Sequence, residues 1–119
     1  MAFIQKRVAG PVTLANIATM DTAPGSASYA PAAGVTTIIK QIMFTNITSS
    51  TQQVSMWVFS GSGSIANSDM VFHSLDLAAY ETMLINLSLV MGPGTGDGLF
   101  AGAGNAASVN MTVSGIEES

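Results

Sequence analysis

The sequence has no cysteine and a single histidine, so it lacks the residues that build disulfides, thiolate zinc sites and histidine metal clusters. Charge is equally scarce, because Asp, Glu, Lys and Arg make up 8% of the 119 residues, against about 25% in an ordinary globular domain. Three basic residues and a net charge of -4 leave no patch that could neutralise several phosphates. These absences exclude a cysteine nucleophile and argue against most enzymes, against nucleic acid as a partner and against a cofactor.

Long apolar runs are missing as well. The uncharged segment 41–68 exceeds the ~18 residues of a spanning helix, but a cluster of Asn, Thr, Ser and Gln interrupts it and a Gly-Ser loop follows. Near the start of the chain, Gly10 and Pro11 follow Lys6 and Arg7 where a secretion signal would have a continuous apolar stretch. We therefore expect synthesis in a cytoplasm and no membrane partner.

The sequence does contain short β-type runs separated by turn residues, with no sustained helical repeat. The predicted strands are residues 12–20, 35–46, 54–59, 70–77, 82–90, 99–103 and 108–115. The segment 92–98 is too rich in Gly and Pro to lie in a strand, and 78–81 is a short turn. About seven to eight strands at this spacing predict a single all-β domain over residues 10–119, an antiparallel β-sandwich of the jelly-roll or immunoglobulin-like kind.

Alternation within these runs predicts which side chains face the core. In 82–90 the core face is Met83, Ile85, Leu87 and Leu89, and Asn86 and Ser88 point the other way. In 70–77 the better core face is Val71, His73, Leu75 and Leu77. In 35–46 strict alternation gives two faces, one with Thr37, Ile39, Gln41, Met43 and Thr45, the other with Ile38, Lys40, Ile42, Phe44 and Asn46.

Several patterns resemble sites, and a structural interpretation is favoured for each. The Gly-Ser run 61–66 resembles a phosphate-binding loop, but another strand follows it where a dinucleotide site needs a helix. Asp97 alone cannot supply the ~6 to 8 oxygens of a calcium site, so a plain turn is favoured there. His73 is expected in a core or an interface. No catalytic, cofactor-binding or metal-ligating residue is assigned, and we predict that the protein is not an enzyme.

Aromatic residues leave one alternative open. Trp57, with Phe59 and Tyr80, offers rings for a sugar platform, which would make the chain a carbohydrate-binding module. The favoured interpretation is a buried Trp57 packed between two sheets. Loss of glycan binding in Trp57→Ala, with the fold retained, would support the module.

The low charge predicts a surface of amides, hydroxyls, glycines and scattered apolar groups, which suits burial between subunits. Two of the three basic residues lie near one terminus, and a pair of glutamates lies near the other. Because an apolar terminus gains by being buried, we predict that residues 1–9 form an extended arm that docks on a neighbouring subunit. Deletion of residues 2–9 is expected to weaken assembly and leave the fold intact. The predicted contact residues are Phe3, Ile4, Lys6, Arg7 and Val8.

Three segments, residues 29–40 (YAPAAGVTTIIK), 44–48 (FTNIT) and 109–117 (VNMTVSGIE), resemble small β-sandwich virion proteins of tailed bacteriophages. The resemblance runs through most of the chain, although the turn from Pro31 to Gly34 is one residue longer than the Pro-Ala-Gly turn of that group. It implies a capsid decoration (cement) protein on the virion surface, a homotrimer that clamps subunits of the major capsid protein and has no small-molecule substrate. A phage tail or fibre module is the alternative that the resemblance leaves open.

Overall fold

A computed structural model gives the fold of residues 3–17, 27–32, 34–59, 69–92, 97–105 and 107–118, with the backbone alone for residues 3–9 and 15. These residues form eight strands and no α-helix. The strands are β1 (Phe3–Thr13), β2 (Ala15–Asn16), β3 (Thr36–Asn46), β4 (Gln52–Phe59), β5 (Met70–Leu77), β6 (Thr82–Met91), β7 (Gly98–Ala103) and β8 (Val109–Glu118). The all-β prediction is confirmed; residues 18–20, predicted as the end of the first strand, lie outside the described residues.

The strands form two four-stranded sheets that pack face to face. The first sheet has the order β1-β8-β3-β6 and the second the order β2-β7-β4-β5. Neighbouring strands are antiparallel, except that the two residues of β2 run parallel to β7. Strand 1 thus lies beside 8, 2 beside 7, 3 beside 6 and 4 beside 5, which is the order of a jelly roll. The order selects the first of the two sandwich types that the sequence predicted.

Apolar side chains from both sheets fill the space between them. The central strands β3 and β8 bury their inward side chains completely, and a ring contact crosses the core from Phe44 on β3 to Phe72 on β5 with centroids 5.8 Å apart. Burying each such side chain stabilises the fold by about 1.5–3 kcal/mol. The fully buried apolar residues of this core include Ile39, Ile42, Phe44, Val54, Met56, Leu99, Val109, Met111 and Val113.

Strict alternation is wrong for β3. The pairing of β3 with both β6 and β8 shifts register between Ile39 and Gln41, so two consecutive residues, Lys40 and Gln41, point outward. Thr37 and Ile39 therefore share the core face with Ile42, Phe44 and Asn46. A bulge of this kind moves all following side chains to the other face of the strand.

The predicted core face of β5 is also wrong over the first half of the strand. Ser74 has φ 52°, and the pairing of β5 with β4 shifts register between Val54 and Met56. Before this irregularity Phe72 packs against the core, while Val71 is 53% exposed. His73 is exposed too, so it is not a core histidine. After the irregularity Leu77 is buried, as alternation predicted.

Residues 3–9, predicted as part of an extended arm, form the first half of β1 in the single chain. Their backbone pairs antiparallel with β8, from Phe3 opposite Glu118 to Ala9 opposite Val113. The segment is an edge strand of the first sheet, and a deletion of residues 2–9 would also remove a neighbour of β8. Docking of this segment on another subunit stays a prediction.

A buried amide closes one end of the sandwich. Asn46 at the end of β3 is 0% exposed, and its Nδ2 donates to the carbonyl oxygens of Ser50 at 2.8 Å, Leu77 at 3.0 Å and Ala78 at 3.0 Å. Its Oδ1 accepts from the backbone N–H of Thr48 at 2.9 Å and from the Thr48 hydroxyl at 2.8 Å. One side chain thus ties the first sheet to the turns that enter β4 and leave β5, which belong to the second.

Further polar side chains extend this network. Gln52 is 5% exposed, and its Nε2 donates to Thr48 Oγ1 at 3.1 Å. Asn105 Nδ2 donates to Gln52 Oε1 at 2.8 Å, and the Ser108 hydroxyl donates to the carbonyl oxygen of Asn105 at 2.7 Å. The network reaches the turn between β7 and β8, so neutral hydrogen bonds join the turns that connect β3 to β4, β5 to β6 and β7 to β8.

Gly115 leaves no room for a side chain in the first sheet. A Cβ there would collide with the carbonyl oxygen of Ile38 and lie 3.1 Å from Ile39 Cα, and β8 is held between β1 and β3. We predict that Gly115→Ala lowers the free energy of unfolding by about 2–3 kcal/mol, measured by urea denaturation. Ser114→Ala, on the outward side, should change it by less than about 0.5 kcal/mol. Equal effects of the two substitutions would contradict the packing.

The contribution of Asn46 to stability can be tested by removing the N–H donors of its side chain. Asn46→Asp keeps acceptor oxygens for Thr48 but loses the N–H groups and buries a carboxylate against three carbonyl oxygens, which raises the pKa of that carboxyl. We predict a loss of stability of more than about 3 kcal/mol at pH 7. Because the folded-state pKa lies above the unfolded-state value, the loss shrinks as pH falls through the folded-state pKa.

Urea denaturation of Asn46→Asp at pH 7 and at pH 4 measures this dependence, each time relative to the unmodified chain. Asn46→Ala is the matched control, since it removes the same hydrogen bonds without adding a titrating group. Its loss relative to the unmodified chain should be the same at both pH values. A loss in Asn46→Asp that does not depend on pH would contradict the buried position of the carboxyl.

Candidate interaction surface

The face of the first sheet that points away from the core is the surface with the clearest organisation. It is formed by the outward side chains of three adjacent strands, β8, β3 and β6. Alternation is regular on β6 and β8, and β3 carries the bulge. We name it the outer face; it comprises Thr36, Ile38, Lys40, Gln41, Met43, Thr45, Thr82, Leu84, Asn86, Ser88, Val90, Asn110, Thr112, Ser114, Ile116 and Glu118. Lys40 and Glu118, which lies at the end of β8, are the charged members of this set.

Polar side chains on the outer face bond to one another across β3 and β6. The hydrogen bonds join Lys40 Nζ to Ser88 Oγ at 3.0 Å, Gln41 Nε2 to Asn86 Oδ1 at 3.2 Å, and the hydroxyls of Thr45 and Thr82 at 3.2 Å. Cross-strand pairs of this kind each contribute roughly 0.2–1 kcal/mol to the stability of a sheet.

Apolar groups lie among these polar pairs. Leu84 is 54% exposed and Val90 is 65% exposed, both on β6. Depletion of charge together with exposed apolar side chains is typical of the centre of a protein interface. The geometry therefore favours contact with another protein surface.

The residues predicted for subunit or capsid contact border this face through their backbone. Lys6 lies opposite Gly115 and Arg7 opposite Ser114 in the pairing of β1 with β8, and Phe3, Ile4 and Val8 belong to the same strand. The side chains of all five lie outside the described residues. Their role in contact stays a prediction.

The loop 60–68 lies outside the described residues, and the loop 92–98 is described at its ends. Asp97 Oδ2 accepts the backbone N–H of Gly92 at 2.9 Å, which closes the loop. This bond agrees with the interpretation of Asp97 as a turn residue.

Trp57 is buried, as the favoured interpretation predicted, but it does not lie between the two sheets. It alternates on β4 with Val54 and Met56, which face the core, so its indole lies on the opposite side of the second sheet. There it is 0% exposed and pairs in register with Phe100, whose ring meets Phe59 edge to face at 6.5 Å. Among the described residues, Trp57 Nε1 is a buried polar atom without a hydrogen-bond partner.

The structure does not bring Trp57 and Tyr80 together as exposed rings. Tyr80 is 67% exposed in the turn before β6, while Trp57 is fully covered. A platform for sugars needs rings that a ligand can reach. The sequence could not separate these arrangements, because both faces of β4 are largely apolar.

Sequence reasoning missed the outer face as a unit. The uncharged stretch of β6 was visible, but its place beside β3 depends on a strand pairing between distant segments. No signal in the sequence marks the bulge that turns Lys40 and Gln41 outward together.

Comparison of the chain with protein-family models, with curated proteins and with solved structures finds no match. Over the residues that the structure describes, no helix is long and apolar enough to cross a membrane.

Burial of Trp57 can be tested by truncation. We predict that Trp57→Ala lowers the free energy of unfolding by about 3–5 kcal/mol, because it removes a fully buried ring. Tyr80→Ala, at an exposed turn position, should change it by less than about 0.5 kcal/mol. Chemical denaturation followed by circular dichroism measures both. A Trp57→Ala variant as stable as the unmodified chain would contradict the buried position.

Proposed function

We propose that this chain is a non-enzymatic structural protein of a bacteriophage virion, and within that class a capsid decoration protein. It binds the outside of the shell and clamps neighbouring subunits of the major capsid protein. The observation that carries the proposal is the outer face, on which hydroxyl, amide and apolar side chains predominate and Lys40 and Glu118 are the charged groups among the described side chains. A surface of this kind is suited to burial against another protein.

The fold is compatible with this function. Jelly rolls occur in viral capsid and lectin domains, although a fold by itself does not determine function. The resemblance of residues 29–40, 44–48 and 109–117 to phage virion proteins supplies the shell as the partner. With Trp57 buried, no observation favours the carbohydrate-binding module.

The mechanism is binding without chemistry. A contact of about 800 Å² per partner, repeated over the shell by symmetry, is of the size that stable protein interfaces need. A protein that binds the assembled shell and not its separated subunits stabilises the shell by mass action. The β1 segment with Lys6 and Arg7 borders the outer face and is the proposed arm contact, and the proposed oligomer is a trimer.

The proposal is tested by co-sedimentation of the purified chain with expanded shells assembled from the major capsid protein encoded with it. We expect many copies per shell and a higher melting temperature of the shell. Thr112→Arg places a charge on the outer face, in the β8 strand beside β3, and should weaken binding at least tenfold. Gln53→Arg is the matched control, because Gln53 is exposed on β4 in the other sheet and bonds to Asp76.

A folded chain that does not bind shells and forms a ring or a needle would overturn the capsid proposal and support the tail or fibre alternative. Equal binding by Thr112→Arg and Gln53→Arg would show that the outer face is not the contact. In that case Lys6→Glu and Arg7→Glu would test the arm instead.

A further inference from the structure

β6 is an edge of the first sheet, and its outer backbone side has no strand partner among the described residues. It spans the ten residues Thr82–Met91 and pairs with β3 on one side. Its side chains alternate between inward and outward without interruption. A long, regular edge strand presents a row of unpaired N–H and C=O groups, which is a template for pairing with another strand.

The other edges of the two sheets carry features that hinder strand addition. β1 contains Pro11, which has no N–H, and its pairing with β8 shifts register twice. β5 bends at Ser74 and exposes His73 and Asp76, and β2 has two residues. The pairing of β6 with β3 shifts register once, but β6 contains no charged residue and no proline. Among the edges that the structure describes, β6 is therefore the least protected against pairing.

The inward side of β6 is incompletely buried. Met83, Ile85, Leu87 and Leu89 pack against the core but stay partly exposed. The inward residues of the neighbouring central strand are 0% exposed, as Ile42 shows. Within the part of the chain that the structure describes, no segment covers this edge of the sandwich. Apolar side chains and backbone groups of β6 are therefore accessible side by side.

We propose that β6 pairs antiparallel with β6 of a second copy of this chain across a two-fold axis, which joins two first sheets into one continuous sheet. The pairing covers the inward row of each copy with that of the other. With Asn86 at the axis, the outward Leu84 of each copy lies opposite Ser88 of the other copy and diagonal to its Val90. The proposal does not depend on shell binding.

The composition of β6 favours a second copy over a different partner. In a two-fold contact each side chain near the axis meets its own counterpart, so a charged residue would repel itself. Asn86 lies near the middle of β6, and an amide can both donate to and accept from another amide. Its Oδ1 accepts from Gln41, while its Nδ2 donates to no described residue.

The consequence is an even number of chains in the assembly. If β6 supplies the sole contact, the particle is a dimer. If the proposed trimer also forms and its three-fold axis crosses the two-fold axis at a right angle, the two contacts together close a hexamer. The mass is in either case an even multiple of the 12.2 kDa chain.

Light scattering of the full chain after size-exclusion chromatography tests the proposal. We expect an even multiple of the chain mass. Asn86→Lys places two ammonium groups across the axis and should halve the mass, with the β-type circular dichroism spectrum retained. Ser114→Lys adds the same charge to the outer face on the central strand β8 and should leave the mass unchanged.

The mass of the particle formed by the unmodified chain tests the proposal even if a variant does not fold, because one or three chains per particle would overturn it. An Asn86→Lys variant that keeps the full mass would also overturn it. If Ser114→Lys halves the mass as well, the outer face and not the edge of β6 is the contact. Shells are not used, so this outcome is distinguishable from failure of the decoration proposal.

Discussion

The arrangement of the two sheets depends on the buried side chain of Asn46. Its Nδ2 donates to carbonyl oxygens in the turn before β4 and at the end of β5, and its Oδ1 accepts from Thr48. Both polar atoms of the buried amide therefore form hydrogen bonds. Buried polar groups of this kind are stabilising when fully satisfied and costly when one partner is lost. Asn46 thereby fixes the start of β4 and the end of β5 against β3.

A chain with few charges has to satisfy its polar groups in another way. At the end of the sandwich that Asn46 closes, amides and hydroxyls bond to each other and to turn carbonyls. On the outer face the same residue types bond across strands. The hydrogen bonds at the Asn46 end stabilise the fold. Those on the outer face belong to a surface that has few charges and exposes Leu84 and Val90. With few charges on this surface and none on β6, neither is strongly protected against contact with other proteins. We infer that contact is their role.

Much of the local structure could be predicted from the sequence. Alternation located the long strands, and the core face of β6 agrees with the partly buried row from Met83 to Leu89. The bulge in β3 and the bend at Ser74 could not be predicted, because neither contains a glycine or proline that marks it. The pairing of β1 with β8 joins the two ends of the chain, and no local pattern reports such a contact. For the same reason the low charge predicted a contact surface but could not place it on three strands that are distant in sequence.

If the neutral edge of β6 is a contact in the assembled protein, its backbone amides are protected there from solvent. Amide hydrogen exchange followed by mass spectrometry, on the unmodified chain and on Asn86→Lys at equal concentration, measures this protection. We expect peptides from β6 to exchange faster in the variant, while peptides from β3 and β8 exchange equally in both. Equal exchange of the β6 peptides in the two proteins, with both folded, would contradict it.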